Sequence, residues 1–305
     1  MNLMLLAAGL GSRLLPYTNH FPKPTIPFLN VPMGLYQFQY LKYLESKLTS
    51  FVVNTHHLPE HVQALYISQP YFPKRPQFSS EAEKILGNGG AIKKAEYLFT
   101  KEQPILLMNA DEVYFSKNKN FLNELYTHHK KTNALATLTV MQHPEAGSKF
   151  GAVWCDGKAV KHIGKTCTDK NLKPWHYIGV CILSWEVMKY ILPDKEQNIL
   201  YDVLFPFLDR LEIFELKTTW FETGNKEDLL AATEVMLKQL DQNAELQSFI
   251  NQYDRSKLIL SSLVSEKQSV SANQLHGYNC ISKNAHISSD TIFENSIAFE
   301  NQIIK

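Results

Sequence analysis

Leu6-Ala7-Ala8-Gly9-Leu10-Gly11-Ser12-Arg13-Leu14, followed by Pro22-Lys23-Pro24, is the stretch on which the reading of this chain turns. Residues 3–7 are short and apolar, as a buried strand is. The glycines that end the run let backbone N–H groups approach phosphate oxygens with no Cβ in the way. Arg13 can grip a phosphate through a bidentate fork, and Lys23 can serve as a movable point charge. A bare Gly-x-Gly is weak by itself. A dinucleotide-binding loop needs Gly or Ala where Leu14 stands and an acid near 29–31, and both are missing. A Walker loop is excluded too, because no Gly-Lys-Ser/Thr follows a spaced glycine.

Working outward, short apolar runs alternate with amphipathic ones through the first half, the pattern of βα units around a largely parallel sheet. Residues 3–7, 50–54 and 104–108 read as strands, and 34–48, 59–67 and 90–99 as helices. After about 133 the texture is strand-like, at 134–141, 152–155, 159–163 and 177–183, with one helix at 184–192. A further helix is expected at 226–240, then a polar stretch from 241 to 271. This gives a main domain over 1–240, a linking, partly helical segment over 241–276, and a tail over 277–305. In the tail Ile281, Ile287, Ile292, Ile297 and Ile303 recur every five or six residues, a hexapeptide spacing that suggests coils of a β-helix. So few coils bury little alone, so the tail is expected to pack on the main domain or on another subunit, making a homo-oligomer one outcome.

Composition narrows the function classes. Lys+Arg 31 against Asp+Glu 30 leaves a net charge of +1. No overall field attracts a nucleic-acid backbone or an anionic membrane, so any phosphate recognition is local. Cys155, Cys167, Cys181 and Cys280 are scattered and read as reduced thiols of a cytoplasmic protein. The apolar start is too short for a signal peptide or a membrane span. His57 and His61 stand four apart, but no cysteine or catalytic glutamate accompanies them, and no transition-metal site is expected there.

The glycine-rich stretch with its Pro-Lys-Pro resembles the signature of the sugar-1-phosphate nucleotidyltransferases, and further motifs follow in order. Leu86-Gly87-Asn88-Gly89-Gly90-Ala91-Ile92 is similar to the family's second loop, with Asn88 in place of Thr. Met108-Asn109-Ala110-Asp111 resembles its strand-end Asn-Gly-Asp. Trp220-Phe221-Glu222-Thr223-Gly224-Asn225 stands where Trp-x-Asp-x-Gly-Thr is usual. Val53-Asn54-Thr55-His56-His57-Leu58 resembles the branch acting on mannose-, heptose- and muramic-type 1-phosphates.

The resemblance implies an α/β fold, a Rossmann-like, mixed and mostly parallel GT-A-type sheet, with a short C-terminal left-handed β-helix. It implies a transfer of a nucleoside monophosphate from an NTP, with GTP or UTP favoured, to a sugar 1-phosphate. Ala7, Ala8, Gly9, Gly11, Ser12 and Arg13 would hold the nucleotide, with Gly87, Gly89 and Gly90 closing over base or ribose. Arg13 would neutralise the departing pyrophosphate, and Lys23 the α-phosphate. Lys165, in a Lys161–Thr166 run with Gly164 and Thr166 where the family's Glu-Lys-Pro has Glu and Pro, would meet the sugar phosphate, and Gly179 in Tyr177-Ile178-Gly179-Val180 would leave room for the sugar.

Asp111 follows an expected parallel strand, at the end where such sheets place ligands. A carboxylate there suits Mg²⁺, which favours few protein ligands plus phosphates and water. Glu222 would be the second ligand, one methylene longer than the usual Asp. The substitutions at 88, 164 and 222 also fit an alternative, a regulatory homologue that binds a nucleotide-sugar without turnover.

Overall fold

The computed structural model describes residues 1–69 and 74–305. Contacts divide the chain into two units that do not follow chain order: one holds 1–9, 40–110 and 114–220, the other 10–39, 111–113 and 221–305.

The first unit is built on a nine-stranded mixed sheet. Its centre is β1 (Asn2–Leu6), flanked in parallel by β2 (Ser50–Thr55), with Leu3 opposite Phe51, and by β4 (Ile105–Asn109), with Leu3 opposite Leu106. β2 is buried at every position and β1 at all but its last. That is why these strands read as unbroken apolar runs instead of alternating ones. β3 (Gln77–Ser80) extends the parallel side beyond β2. Across β4 the direction reverses: β8 (Lys173–Leu183) pairs antiparallel with β4, β5 (Ala136–Met141) and β6 (Ala152–Asp156), while β7 (Ala159–Gly164) forms the edge on β6. β9 (Leu211–Glu215) lies parallel to β5. Between strands run α1 (Pro59–Ile67), α2 (Gly87–Lys94) and α3 (Phe121–Thr132). Met4, Val52, Ile92, Leu107 and Cys181 share one apolar core.

β8 is long because it changes partners. Lys173–Trp175 pair with β6 and residues 180–183 with β4, while the pairing with β5 skips from Tyr177 to Cys181. Gly179 sits in that bulge at φ 74°. Such a backbone favours glycine, so its identity has a conformational cause within the strand itself.

The second unit contains the 10–25 loop and a tight hairpin pairing Pro27–Phe28 with Val31–Pro32. The hairpin's two turn residues, Leu29 and Asn30, both have positive φ, as a two-residue turn of this kind requires. α4 (Lys226–Leu240) starts at Asn225, whose side chain accepts from the Asp228 N–H, and α5 (Ala244–Tyr253) starts at Asn243, which accepts from the Leu246 N–H. Beyond them lie β10 (Ser256–Ile259), β11 (Ser262–Ser265), β12 (Leu275–His276), β13 (Cys280–Ile281), β14 (Phe293–Glu294), β15 (Ile297–Phe299) and β16 (Gln302–Ile304). β11, β13 and β15 stack in parallel, Leu263 against Cys280 and Cys280 against Ile297, each step seventeen residues on. β12 and β14 form a second parallel pair, Leu275 against Phe293.

Three sequence expectations are corrected. The region 34–48 is not one helix: it breaks into turns at Met33–Leu35 and Glu45–Lys47 around a four-residue helix, Phe38–Leu41. Residues 33–41 are buried at every position, Gln37 and Gln39 included, so no single apolar face governs them. The helix expected at 184–192 shrinks to a 3-10 turn, Trp185–Lys189, ahead of Pro193. The stretch 241–276 carries α5 and three strands, and the stacked ladder begins at Ser262, earlier than the isoleucine spacing located it. That spacing also chose Ile292, which is half exposed, whereas its neighbour Phe293 is fully buried. A coil of seventeen residues, as between β11, β13 and β15, drifts by one against a strict six-residue count. The four cysteines are free, and burial pushes the Cys155 and Cys181 thiols up to about 11 and 12, which keeps them protonated and inert. No helix among the described residues is long and apolar enough to cross a membrane.

Candidate active site

The second unit gathers Gly11, Ser12, Arg13, Lys23, Asp111 and Glu222 from three separate segments. Gly11, in the left-handed region at φ 62°, starts the 3-10 turn Ser12–Leu14. A Cβ there would meet the Thr18 methyl at 2.8 Å and Lys23 Cβ at 3.3 Å. The Thr18 hydroxyl donates to the Gly11 carbonyl at 3.1 Å, so the loop folds back on itself and carries Lys23 to its base. Lys23 opens the turn Lys23–Thr25 and is largely buried, its side chain 11% exposed. Its Nζ donates to Asp111 Oδ2 at 2.8 Å.

Asp111 is held from a second side, because the Thr223 hydroxyl donates to its backbone carbonyl at 3.3 Å. Next to Thr223, Glu222 Oε1 accepts the Gly224 N–H at 2.6 Å and lies 3.6 Å from Arg13 Nη1. A Cβ on Gly224 would collide with both the Glu222 carboxylate and the Arg13 guanidinium. Glycine at 224 is therefore what lets that acid and that base approach. Arg13 itself is two-thirds exposed and its contact to Glu222 is long, so the pair is weak. The two acidic and two basic side chains cancel in formal charge, as the chain as a whole nearly does at +1. No group of three or more His, Cys, Asp or Glu able to cage a metal ion occurs among the described residues.

The first unit holds Ala7, Ala8, Gly9, Gly87, Gly89, Gly90, Lys165 and Gly179. Ala7 and Ala8 are buried and Gly9 is exposed. A Cβ on Gly9 would meet nothing within 4 Å, and its φ is not among the positive ones. The chain's own packing therefore does not require glycine there. The second loop differs. Cβ atoms on Gly87 and Gly89 would lie 2.5 and 2.9 Å from the Gln197 carbonyl, and one on Gly90 would lie 2.3 Å from that of Lys195. The Gly89 N–H donates to the Gln197 carbonyl, and the Gln197 N–H to that of Leu86. These three glycines admit a neighbouring strand of backbone. Asn88 is engaged as well, its Oδ1 accepting the Ile199 N–H at 2.6 Å, which starts the helical turn Ile199–Leu204. Lys165 is exposed.

Two residues to which motif reading gave no site role complete this region. Glu81, 1% exposed, accepts from Asn54 Nδ2 at 2.6 Å and from the Leu86 N–H at 2.7 Å. Asn54 Oδ1 accepts the Ala7 N–H at 2.7 Å. The only sequence signal for Glu81 was an acid placed five residues ahead of the second loop, too common a feature to single out.

Residues 2–239 match the family described as Nucleotidyl transferase. A mannose-1-phosphate guanyltransferase of Yarrowia lipolytica is 30% identical over 249 residues, covering 78% of this chain and 64% of that protein, so the match spans just under two thirds of the relative's length. Among solved structures, UDP-glucose pyrophosphorylase from Acinetobacter baumanii shares the fold at a TM-score of 0.65 and 16% identity, covering 82% of this chain and 98% of the other. HddC from Yersinia pseudotuberculosis complexed with GMP-PN does so at 0.59 and 22%, covering 77% and 99%. With the glycine-led loop, the strand-end acid and the central parallel strands all lying inside the matched span, this chain belongs to the nucleotidyl transferase family.

Proposed function

We propose that the protein joins the nucleoside monophosphate of an NTP to a sugar 1-phosphate and releases pyrophosphate. The observation that carries this reading is the ion pair between buried Lys23 and partly exposed Asp111, joined through Thr223 to the segment that holds Glu222, which Arg13 approaches. An attacking sugar phosphate is already anionic, so the reaction needs alignment and charge stabilisation more than a general base. This pair of ion pairs offers that and no nucleophile–base couple. On nucleotide binding, Lys23 turns to the α-phosphate and Arg13, loosely held, to the departing pyrophosphate. The open space beside Gly9 supports a backbone approach to the nucleotide by residues 7–13, with Gly87, Gly89 and Gly90 as the second wall.

Asp111 and Glu222 are hard oxygen donors, few in number, which is the set Mg²⁺ takes when phosphates and water complete its shell; they would hold it, and when bound it supplies positive charge to the nucleotide phosphates. Lys165 and Gly179 serve the sugar phosphate and sugar in this reading. The guanyltransferase relative and the GMP-PN complex of HddC support GTP as the first nucleotide to try, and mannose 1-phosphate as the first acceptor. We place the reaction in the cytoplasm and assign it to residues 1–240. We read the stacked strands of the tail as a short left-handed β-helix able to meet a second copy of the chain.

A second reading, a nucleotide-sugar-binding homologue without turnover, is favoured by the commitment of Glu222 Oε1 to Gly224 and Arg13. One experiment separates the two: pyrophosphate release with four NTPs against a panel of sugar 1-phosphates. Release with at least one pair is expected. Tight nucleotide-sugar binding with no release from any pair would establish the second reading.

A further inference from the structure

We infer that Glu81, acting through Asn54, is the positioning residue that sets the first nucleotide loop against the second; the inference rests on the nucleotidyltransferase reading above. Glu81 follows β3 and is almost fully buried, yet no cation pairs with it among the described residues. A buried carboxylate without a counter-ion is costly unless donors surround it. Here one donor comes from the head of the second loop and the other from Asn54 on β2, which itself holds the first loop. Leu86, whose N–H donates to Oε2, immediately precedes Gly87. On the other side, Asn54 Nδ2 donates to Oε1, and Asn54 Oδ1 in turn accepts from Ala7, where the first loop leaves β1. Ala7, Asn54 and Leu86 are each no more than 4% exposed.

The backbone of Glu81 is pinned too. Its N–H donates to the Thr55 carbonyl and its carbonyl faces His56 Nδ1, both at 2.7 Å. The carboxylate therefore has little freedom to follow either loop, and each loop must come to it. The carboxylate presents one oxygen to Asn54 and the other to Leu86. A glutamine would turn its amide N–H toward one of those donors.

This arrangement permits a swap test. Glu81→Gln leaves one donor unmet, and Asn54→Asp sets two buried carboxylates face to face. The double variant Asn54→Asp/Glu81→Gln restores every bond. The new amide N–H at position 81 donates to one oxygen of the new carboxylate at position 54, whose other oxygen accepts from Ala7. The amide oxygen at position 81 accepts from Leu86.

Steady-state kinetics with the best NTP and sugar 1-phosphate, beside calorimetric binding of that NTP, should be run on variants whose folding is checked by circular dichroism. Glu81→Gln should raise KM and Kd for the NTP by about tenfold to a hundredfold, the worth of a hydrogen bond to a charged group. The sugar 1-phosphate KM should stay near the wild-type value, and the double variant should regain most of the loss. If Glu81→Gln does not fold, Asn54→Ala removes the bonds to both Ala7 and Glu81 while leaving Leu86 on Glu81, and carries the same comparison. An NTP KM within twofold of wild type in a folded single variant, or an equal rise for both substrates, would overturn the inference while the functional reading stands. A wild type that neither turns over nor binds any of the four NTPs overturns the reading, and the inference with it.

Discussion

The Glu222 carboxylate reaches back to its own chain: Oε1 accepts the N–H of Gly224, two residues on, at 2.6 Å. This bond fixes where a longer acid in place of aspartate puts its charge. It also predicts how that acid responds to change. Glu222→Gln keeps an acceptor for Gly224 but removes the charge, so the Mg²⁺ concentration for half-maximal rate should rise at least about tenfold with the fold intact. A Mg²⁺ titration of initial rate checks this. Curves that superimpose on wild type would show that Glu222 is no metal ligand.

Lys23 is buried against a single acid and meets no second one among the described residues. Lys23→Ala should lower kcat by roughly 10²–10³ while the melting temperature shifts little, because the charge matters most as the transition state develops. Retention of more than half of the wild-type kcat would remove Lys23 from the reaction.

The glycines of the two loops should respond in opposite ways. Gly9→Ala meets no neighbour in the chain and should fold as wild type, yet weaken NTP binding by about tenfold if the nucleotide backs onto it. Gly90→Ala drives a methyl group into the Lys195 carbonyl and should cost roughly 1–3 kcal/mol of stability. Thermal melts with NTP titrations distinguish the pair, and equal melting losses in both would refute the contrast.

Acid should weaken the fold through two histidines. Burial pulls His129 and His176 from 6.5 down to about 4. Ser184 gives its hydroxyl proton to the Ala134 carbonyl, so His129 Nε2 donates to Ser184 and its Nδ1 accepts from Thr137. Protonation would reverse the Thr137 bond, with Nδ1–H donating to the hydroxyl oxygen, and would bury a charge. His176, packed on Trp220 at 4.3 Å between ring centres, has no hydrogen bond on either nitrogen among the described residues. Between pH 6.5 and 4 the unfolded chain binds protons that the folded chain refuses. Stability is thus fully present above about 6.5 and declines as pH falls toward 4, by roughly 3 kcal/mol per imidazole. His176→Phe discards no bond, so its melting temperature should fall less steeply over this range than that of wild type. Parallel slopes would show that His176 does not contribute.

What could be read from residues alone divides along a physical line. The centre of the sheet was legible because β1, β2 and β4 are buried on both faces and so spell continuous apolar words. Arg13, Lys23, Asp111 and Glu222 could be named because each lies in a short run of unusual residues, and the structure does bring these four together. Glu81 and Asn54 were not legible as a pair: the bonds that matter go to backbone N–H groups, which every residue has. The failed helix at 34–48 has a related cause. Periodicity reports burial on one face, and residues 33–41 have no exposed face to report.

The hairpin turn at Leu29-Asn30 carries a consequence for how the protein is made. Asn30 Nδ2 donates to the carbonyl of Ile281, 251 residues later, at 3.0 Å, and Phe21 packs edge-on against Phe299. A ribosome delivers residues 10–39 long before these partners. While synthesis proceeds, this segment has neither its hydrogen-bond acceptor nor its aromatic cover, and the loop carrying Arg13 and Lys23 belongs to the same unit. Closure over so long a separation is slow relative to local folding. Nascent chains halted before Ile281 should therefore already protect the parallel strands from protease, yet remain open to cleavage around Phe21 until the last strands have left the tunnel.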